Sequence, residues 1–316
     1  MSMRIVNLEG ESIAASFRKP AIEHEWTEYP LSTADQVVER LAGAQIAVIN
    51  KVRITAEHLP HLPDLKLIAI AATGTDNIDL AACKEHGVVV SNVRGYAVHT
   101  VPEHAILLMM ALRRSLLAYV QDVRDGLWAA SGNFCLFGHP VGDLHGATLG
   151  IFGRGSLGQG VARLAEAFGM RVIYGEHRGA SAVREGYTAF EEVVRTADVI
   201  SLHCPLNDAT RGMIGTAELQ MMKPTAVLVN TSRGGLVDEQ ALADALRAGE
   251  IAGAGVDVLS KEPPRDGNPL LVPDIPNLIV TPHMAWASDA GMKGVTDQVI
   301  ENIEAFVAGT PRNRVV

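Results

Sequence analysis

The chain alternates short apolar runs with stretches of helical periodicity from one end to the other. The first apolar runs are residues 4–8, 44–50 and 65–71, and Val37, Val38 and Leu41 recur at a helical spacing between the first two. Strands that are buried on both faces of a sheet read as continuous apolar runs of this kind. Because strands that alternate with helices form parallel sheets of βαβ units, the pattern predicts the α/β class.

A second series of six apolar runs follows a helical pattern over about residues 101–125 and a loop at 126–142. Six strands is the number in a complete dinucleotide-binding sheet. The runs are residues 147–152, 171–174, 198–202, 226–230, 253–257 and 278–281. Residues 288–308 have the pattern of one long amphipathic helix. At roughly 150 residues per domain, the 316 residues predict two domains.

Composition excludes several classes of protein. The net charge of −9 argues against binding nucleic acid or an anionic membrane through bulk charge. The three cysteines, Cys83, Cys135 and Cys204, are far apart and form no CxxC pattern, so neither a disulfide framework nor a metal site is expected. The strongest apolar run, residues 106–112, is far shorter than the roughly 20 residues of a membrane span. With no signal peptide at the N-terminus, we expect a soluble cytoplasmic protein.

The most specific local pattern is GxGxxG at Gly153, Gly155 and Gly158. An apolar strand precedes it, and residues 156–170 continue as a helical pattern. In this setting the first glycine permits a tight turn, the second lets the backbone approach a pyrophosphate, and the third lets helix and strand pack closely. The N–H groups at the start of the helix favour a phosphate. The segment therefore predicts a dinucleotide-binding site.

Glu176 indicates which dinucleotide this site takes. It lies 18 residues after Gly158, at the end of the next predicted strand. A carboxylate there accepts hydrogen bonds from the adenosine ribose hydroxyls and repels a 2′-phosphate, which favours NAD over NADP. His177 and Arg178 argue in the other direction, because a cation could pair with that phosphate. NAD is the predicted cofactor, and NADP is the alternative.

Three ionisable residues lie at or just after the last three predicted strands. Arg233 follows the run at 226–230, Glu262 follows 253–257, and His283 follows 278–281. Ligands bind at the carboxyl ends of the strands in an open α/β sheet. These residues are therefore candidates for the chemistry.

With these features the chain resembles the D-isomer-specific 2-hydroxyacid dehydrogenases over essentially its whole length. The motifs that carry the resemblance are the GxGxxG helix, the Glu262 and His283 segments, and residues 72–79, 101–104, 202–206 and 230–235. Residues 133–137 and 283–288 resemble the branch that reduces hydroxypyruvate to D-glycerate. The resemblance implies an NAD-dependent reductase of a small 2-keto acid, with hydroxypyruvate first and glyoxylate second.

The resemblance also implies a role for each catalytic residue. Arg233 would hold the substrate carboxylate and polarise the keto oxygen, which suits the planar, permanently charged guanidinium. His283 would donate a proton to that oxygen, and Glu262 would orient His283 and favour its protonated form. The backbone N–H groups of Thr73 and Gly74 would bind the substrate carboxylate from another side.

Further contacts are implied on both ligands. Trp286 would either cover the substrate or pack in the protein interior. Asp257 would lie at the nicotinamide carboxamide. The full set of implied cofactor contacts is Val101, Gly153, Arg154, Gly155, Ser156, Leu157, Gly158, Glu176, His203, Cys204, Pro205, Thr210, Thr231, Arg233, Asp257, His283 and Ala285.

In the fold of this family, residues 1–98 plus 287–316 would form a flavodoxin-like substrate-binding domain. Residues 99–286 would form an inserted NAD-binding Rossmann domain. The helix from Val101 and the loop after it would make the contact of a homodimer. Two alternatives stay open: a reductase that uses NADPH or another 2-keto acid, as D-lactate enzymes do, and a non-catalytic NAD sensor that binds a protein partner.

Overall fold

The structure is a computed structural model that describes residues 2–316. The chain divides into two compact units. The first runs to Ala97 and resumes at Ala287–Val316, and the second is Val98–Trp286. Each unit is built on its own parallel sheet flanked by helices, which confirms the predicted α/β class with two parallel-sheet domains.

The first unit holds a five-stranded parallel sheet in the order β2-β1-β3-β4-β5, which is the flavodoxin-like order. Its strands are β1 (Met3–Asn7), β2 (His24–Glu28), β3 (Ile46–Ile49), β4 (Leu67–Ile70) and β5 (Val89–Ser91). Its helices are α1 (Val37–Leu41), α2 (Leu80–Glu85) and α10 (Asp289–Val307). Every residue of β3 and β4 is buried, as their apolar sequences predict.

The second unit holds a six-stranded parallel sheet in the order β11-β10-β9-β8-β6-β7. Its strands are β6 (Thr148–Phe152), β7 (Arg171–Gly175), β8 (Val199–Leu202), β9 (Val227–Asn230), β10 (Gly253–Val256) and β11 (Leu278–Val280). Its helices are α3 (Thr100–Arg113), α4 (Leu116–Arg124), α5 (Leu127–Ser131), α6 (Ser156–Ala167), α7 (Phe190–Thr196), α8 (Thr216–Met221) and α9 (Glu239–Ala248). The strand order reverses between β6 and β8, which is where ligands bind in such sheets.

Two details differ from the sequence predictions. The helical pattern at 101–125 forms two helices, α3 and α4, because Ser115 between them adopts a left-handed backbone with φ +46°. Strand β2 was not among the predicted runs, because its sequence His-Glu-Trp-Thr-Glu is that of a half-exposed edge strand.

Residues 2–316 were searched for membrane-spanning helices and for clusters of metal-binding side chains. Within this range no helix combines the length and the apolar character that a membrane crossing requires. The same residues include no group of three or more His, Cys, Asp or Glu side chains arranged to hold a metal ion.

Candidate active site

The loop after β11 carries His283 and is anchored to the carboxyl end of β10. His283 has a left-handed backbone with φ +54°, and its N–H donates to the carbonyl oxygen of Asp257 at 2.8 Å. The Asp257 carboxylate, which is 1% exposed, accepts the N–H groups of Met284 and Ala285 at 2.9 Å each. The Thr281 hydroxyl donates to the same carboxylate at 2.5 Å. These hydrogen bonds fix the backbone that presents His283.

Helix α3 extends this network through His104. The His104 Nε2 atom lies 3.1 Å from the Thr281 hydroxyl oxygen and 3.7 Å from the nearer Asp257 oxygen. Because that hydroxyl donates its proton to Asp257, its oxygen accepts from His104, so Nε2 carries a proton. The sequence did not single out Thr281, and its position two residues before His283 was the only available signal.

His283 and Glu262 are hydrogen-bonded to each other at the carboxyl edge of the second sheet. The His283 Nδ1 atom lies 2.6 Å from the Glu262 Oε2 atom, and Glu262 Oε1 accepts the N–H of Leu259 at 2.8 Å. About a third of each side chain is exposed. Because Nδ1 is bound by a carboxylate, Nε2 is the ring nitrogen of His283 that a ligand can contact.

Arg233 lies at the same edge, just after β9. Asn230 holds the turn, since its side-chain amide donates to the Arg233 carbonyl oxygen at 2.9 Å and its amide oxygen accepts the N–H of Ser232 at 3.1 Å. The next residue must be glycine, because a Cβ on Gly234 would collide with the backbone of Leu259. Gly234, the residue after Arg233, is therefore packed against the segment that leads to Glu262.

Strands β9, β10 and β11 are neighbours in the sheet, so their carboxyl ends lie side by side. Arg233, Glu262 and His283 follow these three strands in turn. The structure therefore brings the three predicted catalytic residues to one edge of one sheet. This edge combines a guanidinium, an imidazole and a carboxylate that is hydrogen-bonded to the imidazole.

The glycine-rich turn joins β6 to α6 in the predicted way. Gly153 has φ +108°, and a Cβ there would collide with the backbone of His203. Gly158 lies in the first turn of α6 against the carbonyl oxygen of Gly153. A Cβ on Gly155 would meet nothing within 4 Å. Open space at this glycine, beside the N–H groups of Ser156 and Leu157 at the helix start, fits a pyrophosphate.

A pocket of about 310 Å³ opens beside this turn. It contains eight of the predicted cofactor contacts together with several residues that the sequence reasoning did not select. The predicted residues in its lining are Gly153, Arg154, Gly155, Glu176, His203, Cys204, Pro205 and Thr210. The unselected residues include Arg184, Tyr187 and Met213. Arg184 belongs to the loop between β7 and α7, whose course could not be predicted from spacing.

The other predicted contacts lie outside this lining. Val101 and Ala285 are buried in the second unit, where the Thr100 hydroxyl donates to the Ala285 carbonyl oxygen at 2.9 Å. Thr231 is buried directly after β9. Trp286 is the last residue of the second unit and is half-buried.

Two of the predicted cofactor contacts have buried polar atoms without a hydrogen-bond partner among the described residues. They are the Nδ1 atom of His203 and the hydroxyl of Thr231. The other ring nitrogen of His203 is 2.8 Å from the Ser201 hydroxyl. Such orphan groups are uncommon in protein interiors and call for a partner. A polar ligand group beside β8 and β9 would supply one.

Burial determines the charge state of two residues in the pocket. It lowers the pKa of His203 to about 4, so its imidazole is neutral. It raises the pKa of the Cys204 thiol to about 11, so the thiol stays protonated and is no nucleophile. The Cys204 sulfur contacts the Met213 sulfur at 3.6 Å, which is a packing contact.

Glu176 reaches the pocket with its carboxylate already bound to protein. Arg184 donates to it from Nε and from Nη2, each at 2.7 Å. This ion pair and the N–H of His177 lower the pKa of Glu176 to about 2, so the carboxylate is ionised. The sequence placed Glu176 correctly at the end of β7 and did not foresee its partner.

Thr73 and Gly74 belong to the first unit and follow β4. The Thr73 hydroxyl donates to the Val93 carbonyl oxygen at 2.8 Å, and the Asn92 side-chain amide donates to the Thr73 carbonyl oxygen at 2.8 Å. The loop at the carboxyl end of β4 is therefore held by the segment after β5.

Comparison with known proteins gives a consistent result. Residues 106–285 match the model of the family "D-isomer specific 2-hydroxyacid dehydrogenase, NAD binding domain". Glycerate dehydrogenase of Methylorubrum extorquens is 50% identical over 314 residues, which cover 99% of each chain. Hydroxypyruvate reductase of Blautia hydrogenotrophica is 34% identical over 90% of this chain and 88% of its own length.

Solved structures agree with these relatives. The TT0316 protein from Thermus thermophilus has a TM-score of 0.84 and 33% identity, and the match covers 99% of this chain and 100% of that one. A glyoxylate reductase from Paecilomyes thermophila has a TM-score of 0.80 and 28% identity, with 99% and 98% covered.

Proposed function

The chain belongs to the D-isomer-specific 2-hydroxyacid dehydrogenases, and we propose that it reduces hydroxypyruvate to D-glycerate, with glyoxylate as a second substrate. The observation that carries the proposal is the 2.6 Å pair of His283 and Glu262, at the sheet edge that also holds Arg233. Relatives named glycerate dehydrogenase, hydroxypyruvate reductase and glyoxylate reductase support the choice of substrates.

The residues of this edge account for proton transfer and substrate orientation. A bound reduced nicotinamide supplies the hydride that the keto carbon receives. His283 donates the proton that the keto oxygen needs, from Nε2, while Glu262 holds Nδ1 and stabilises the imidazolium. Arg233 binds the substrate carboxylate through its planar fork. In glycerate oxidation, the same His283 atom accepts the hydroxyl proton.

The coenzyme we propose is NAD, held by the second unit. Gly155 and the start of α6 would hold the pyrophosphate, where the structure has open space beside free N–H groups. Glu176 would lie at the adenosine ribose, and the unpaired polar atoms of His203 and Thr231 would bind polar groups toward the nicotinamide. We propose that the backbone N–H groups of Thr73 and Gly74 bind the substrate carboxylate in addition to Arg233.

The direct test is an initial-rate panel that follows the oxidation of reduced coenzyme. Hydroxypyruvate, glyoxylate, pyruvate and a bulkier branched 2-keto acid are each offered with NADH and with NADPH. We expect the highest kcat/KM for hydroxypyruvate. Preference for pyruvate would support a D-lactate type of enzyme instead. Coenzyme binding without turnover of any keto acid would favour the sensor alternative.

Glu262→Gln tests the orienting role of this carboxylate. One oxygen of Glu262 accepts from Leu259 and the other from His283, so an amide must turn its NH₂ group toward one of these donors. We expect kcat to fall about tenfold to hundredfold with little change in KM. His283 remains as the general acid but loses the carboxylate that orients it, so only part of its contribution to the rate is lost. Glu239→Gln is the matched control, because Glu239 binds Ser260 and Asn268 of the same loop. Equal losses in both variants would refute a specific role for Glu262.

We also propose that the chain forms a homodimer through an apolar surface on α3–α5 and the loop after them. Phe134 and Phe137 are 93% and 90% exposed. Large apolar side chains this exposed usually mark an interaction site when they form a patch. The other large apolar side chains exposed in this region are Leu107, Met110, Leu116, Leu117, Val120, Val123, Leu127, Trp128 and Val141.

Light scattering after size exclusion tests this assembly. The wild type should elute as a dimer, and Phe134→Glu with Phe137→Glu should elute as a monomer at micromolar concentration, because losing central aromatic contacts weakens an interface by about 2 kcal/mol or more per residue. Leu31→Glu, at an apolar residue that is 60% exposed in the first unit, is the control and should stay dimeric. A monomeric wild type, or a dimeric double variant, would contradict the proposal.

A further inference from the structure

The lining of the coenzyme pocket around Glu176 contains more arginine side chains than carboxylates. Among the described residues of its lining, Arg154, Arg178 and Arg184 stand against one carboxylate, Glu176. Arg184 and Glu176 face each other directly across the loop between β7 and α7. The charge of this part of the pocket is therefore not that of an isolated glutamate.

All the acceptor positions of the Glu176 carboxylate are used. Oε1 accepts the N–H of His177 at 2.8 Å and Nη2 of Arg184 at 2.7 Å. Oε2 accepts Nε of Arg184 at 2.7 Å and the N–H of Arg184 at 3.2 Å. A carboxylate offers about four lone pairs, so four hydrogen bonds saturate it. The side chain of Glu176 is also only 3% exposed. Ribose hydroxyls can bind Glu176 only after Arg184 withdraws.

The same pair changes the electrostatics of the pocket. The carboxylate is ionised, since its pKa is lowered to about 2, and the guanidinium beside it is charged as well. A salt-bridged pair has no net charge, so it repels a nearby phosphate far less than a lone carboxylate does. The Arg184 side chain is 54% exposed, so its cation is available to an anion in solution.

The two other arginines are held in place beside this pair. Arg154 lies over the ring of Tyr174 at 4.7 Å from its centroid, and Arg184 lies over Tyr187 at 4.1 Å. Arg178 pairs with the buried Glu218 at 2.9 Å. Arginine stacked on aromatic rings keeps its charge and its donors, which is how proteins often recognise phosphate.

We propose that Arg184 determines coenzyme specificity by competing with the adenosine ribose for Glu176 and by favouring a 2′-phosphate. As a consequence, the preference for NAD that Glu176 alone would impose is reduced, and the chain accepts NADPH as a second coenzyme. This proposal rests on the proposed coenzyme site and deepens it. Removing Arg184 should strengthen NADH binding, because Glu176 is released, and weaken NADPH binding, because a cation is replaced by an exposed carboxylate.

The experiment is calorimetric titration of the full-length protein with ADP-ribose and with 2′-phospho-ADP-ribose, in the absence of substrate. We expect the two Kd values of the wild type to lie within about tenfold of each other. In Arg184→Ala, the Kd for 2′-phospho-ADP-ribose divided by the Kd for ADP-ribose should rise by about tenfold to hundredfold. This is the size expected when one charge is removed beside a ligand at a partly exposed site. Glu176→Gln should move the ratio in the opposite direction.

Arg247→Ala is the matched control. Arg247 makes the same two-pronged pair with Asp274, from Nε at 3.0 Å and Nη2 at 3.1 Å, away from the pocket lining. The ratio of the two Kd values should be the same in Arg247→Ala as in the wild type. Arg184→Lys, which keeps the charge without the fork, should lie between the wild type and Arg184→Ala, and the melting temperature of each variant confirms that it is folded.

The outcomes separate this inference from the proposed function. If neither ADP-ribose nor its 2′-phosphate binds the wild type, the coenzyme site itself is wrong. If both bind and Arg184→Ala leaves the ratio unchanged, the coenzyme site stands and the role of Arg184 is refuted. A wild type that binds only the unphosphorylated form would also refute it.

Discussion

Replacing His283 should abolish nearly all turnover while leaving coenzyme binding intact. Asparagine is the informative substitute, because His283 has φ +54° and asparagine tolerates the left-handed backbone better than alanine does. His283→Asn keeps the loop but removes the proton that the keto oxygen needs. General acid catalysis contributes about 10²–10⁴-fold, so kcat should fall by that factor.

Two measurements check this result. Fluorescence titration with NADH should give a Kd close to that of the wild type, and steady-state rates with hydroxypyruvate should give the loss in kcat. His61→Asn, at an exposed histidine of the first unit, is the control and should behave as the wild type. Turnover near normal in His283→Asn would show that the proton comes from another group.

Replacing Arg233 by alanine should cause a loss of similar or larger size, expressed in kcat/KM. A carboxylate that loses a charged, hydrogen-bonded partner loses about 2–5 kcal/mol of binding, and the polarised keto oxygen loses further stabilisation in the transition state. Together these effects predict a fall of about 10³-fold or more. Arg233→Lys should recover only part of the activity, because an ammonium has no planar fork.

The matched control is Arg211→Ala. Arg211 is exposed and lies beside Gly235, two residues after Arg233. Its loss should leave kcat/KM within about twofold, as is usual for a surface position. If Arg211→Ala were as damaging as Arg233→Ala, the effect would come from disturbing the loop rather than from the substrate carboxylate.

The sequence predicts those parts of the fold that depend on local pattern. The fully buried strands β3 and β4 are continuous apolar runs, and the helix after the glycine-rich turn begins directly at Ser156. The edge strand β2 was not predicted, because four of its five residues are polar and form no apolar run. The break between α3 and α4 was not predicted either, because a serine gives no sign in the sequence that its backbone is left-handed, as that of Ser115 is.

The site divides in the same way. Arg233, Glu262 and His283 could be placed together because each follows one of three neighbouring parallel strands. The pairing of Arg184 with Glu176 could not be predicted, because it depends on the path of the loop between β7 and α7. The hydrogen bonds that join Asp257 to Thr281 and His104 depend likewise on packing between distant segments. Spacing identifies strand ends, whereas the partners of a side chain depend on loop geometry.

The stereochemistry of the product is the sharpest test of a D-specific reductase. Hydroxypyruvate is incubated with limiting NADH and the purified protein, and the two enantiomers of glycerate are separated by chiral chromatography. We expect one molecule of D-glycerate to form for each NADH oxidised, with no L-glycerate above the enzyme-free background. Formation of L-glycerate, or absence of glycerate while NADH is bound, would contradict it.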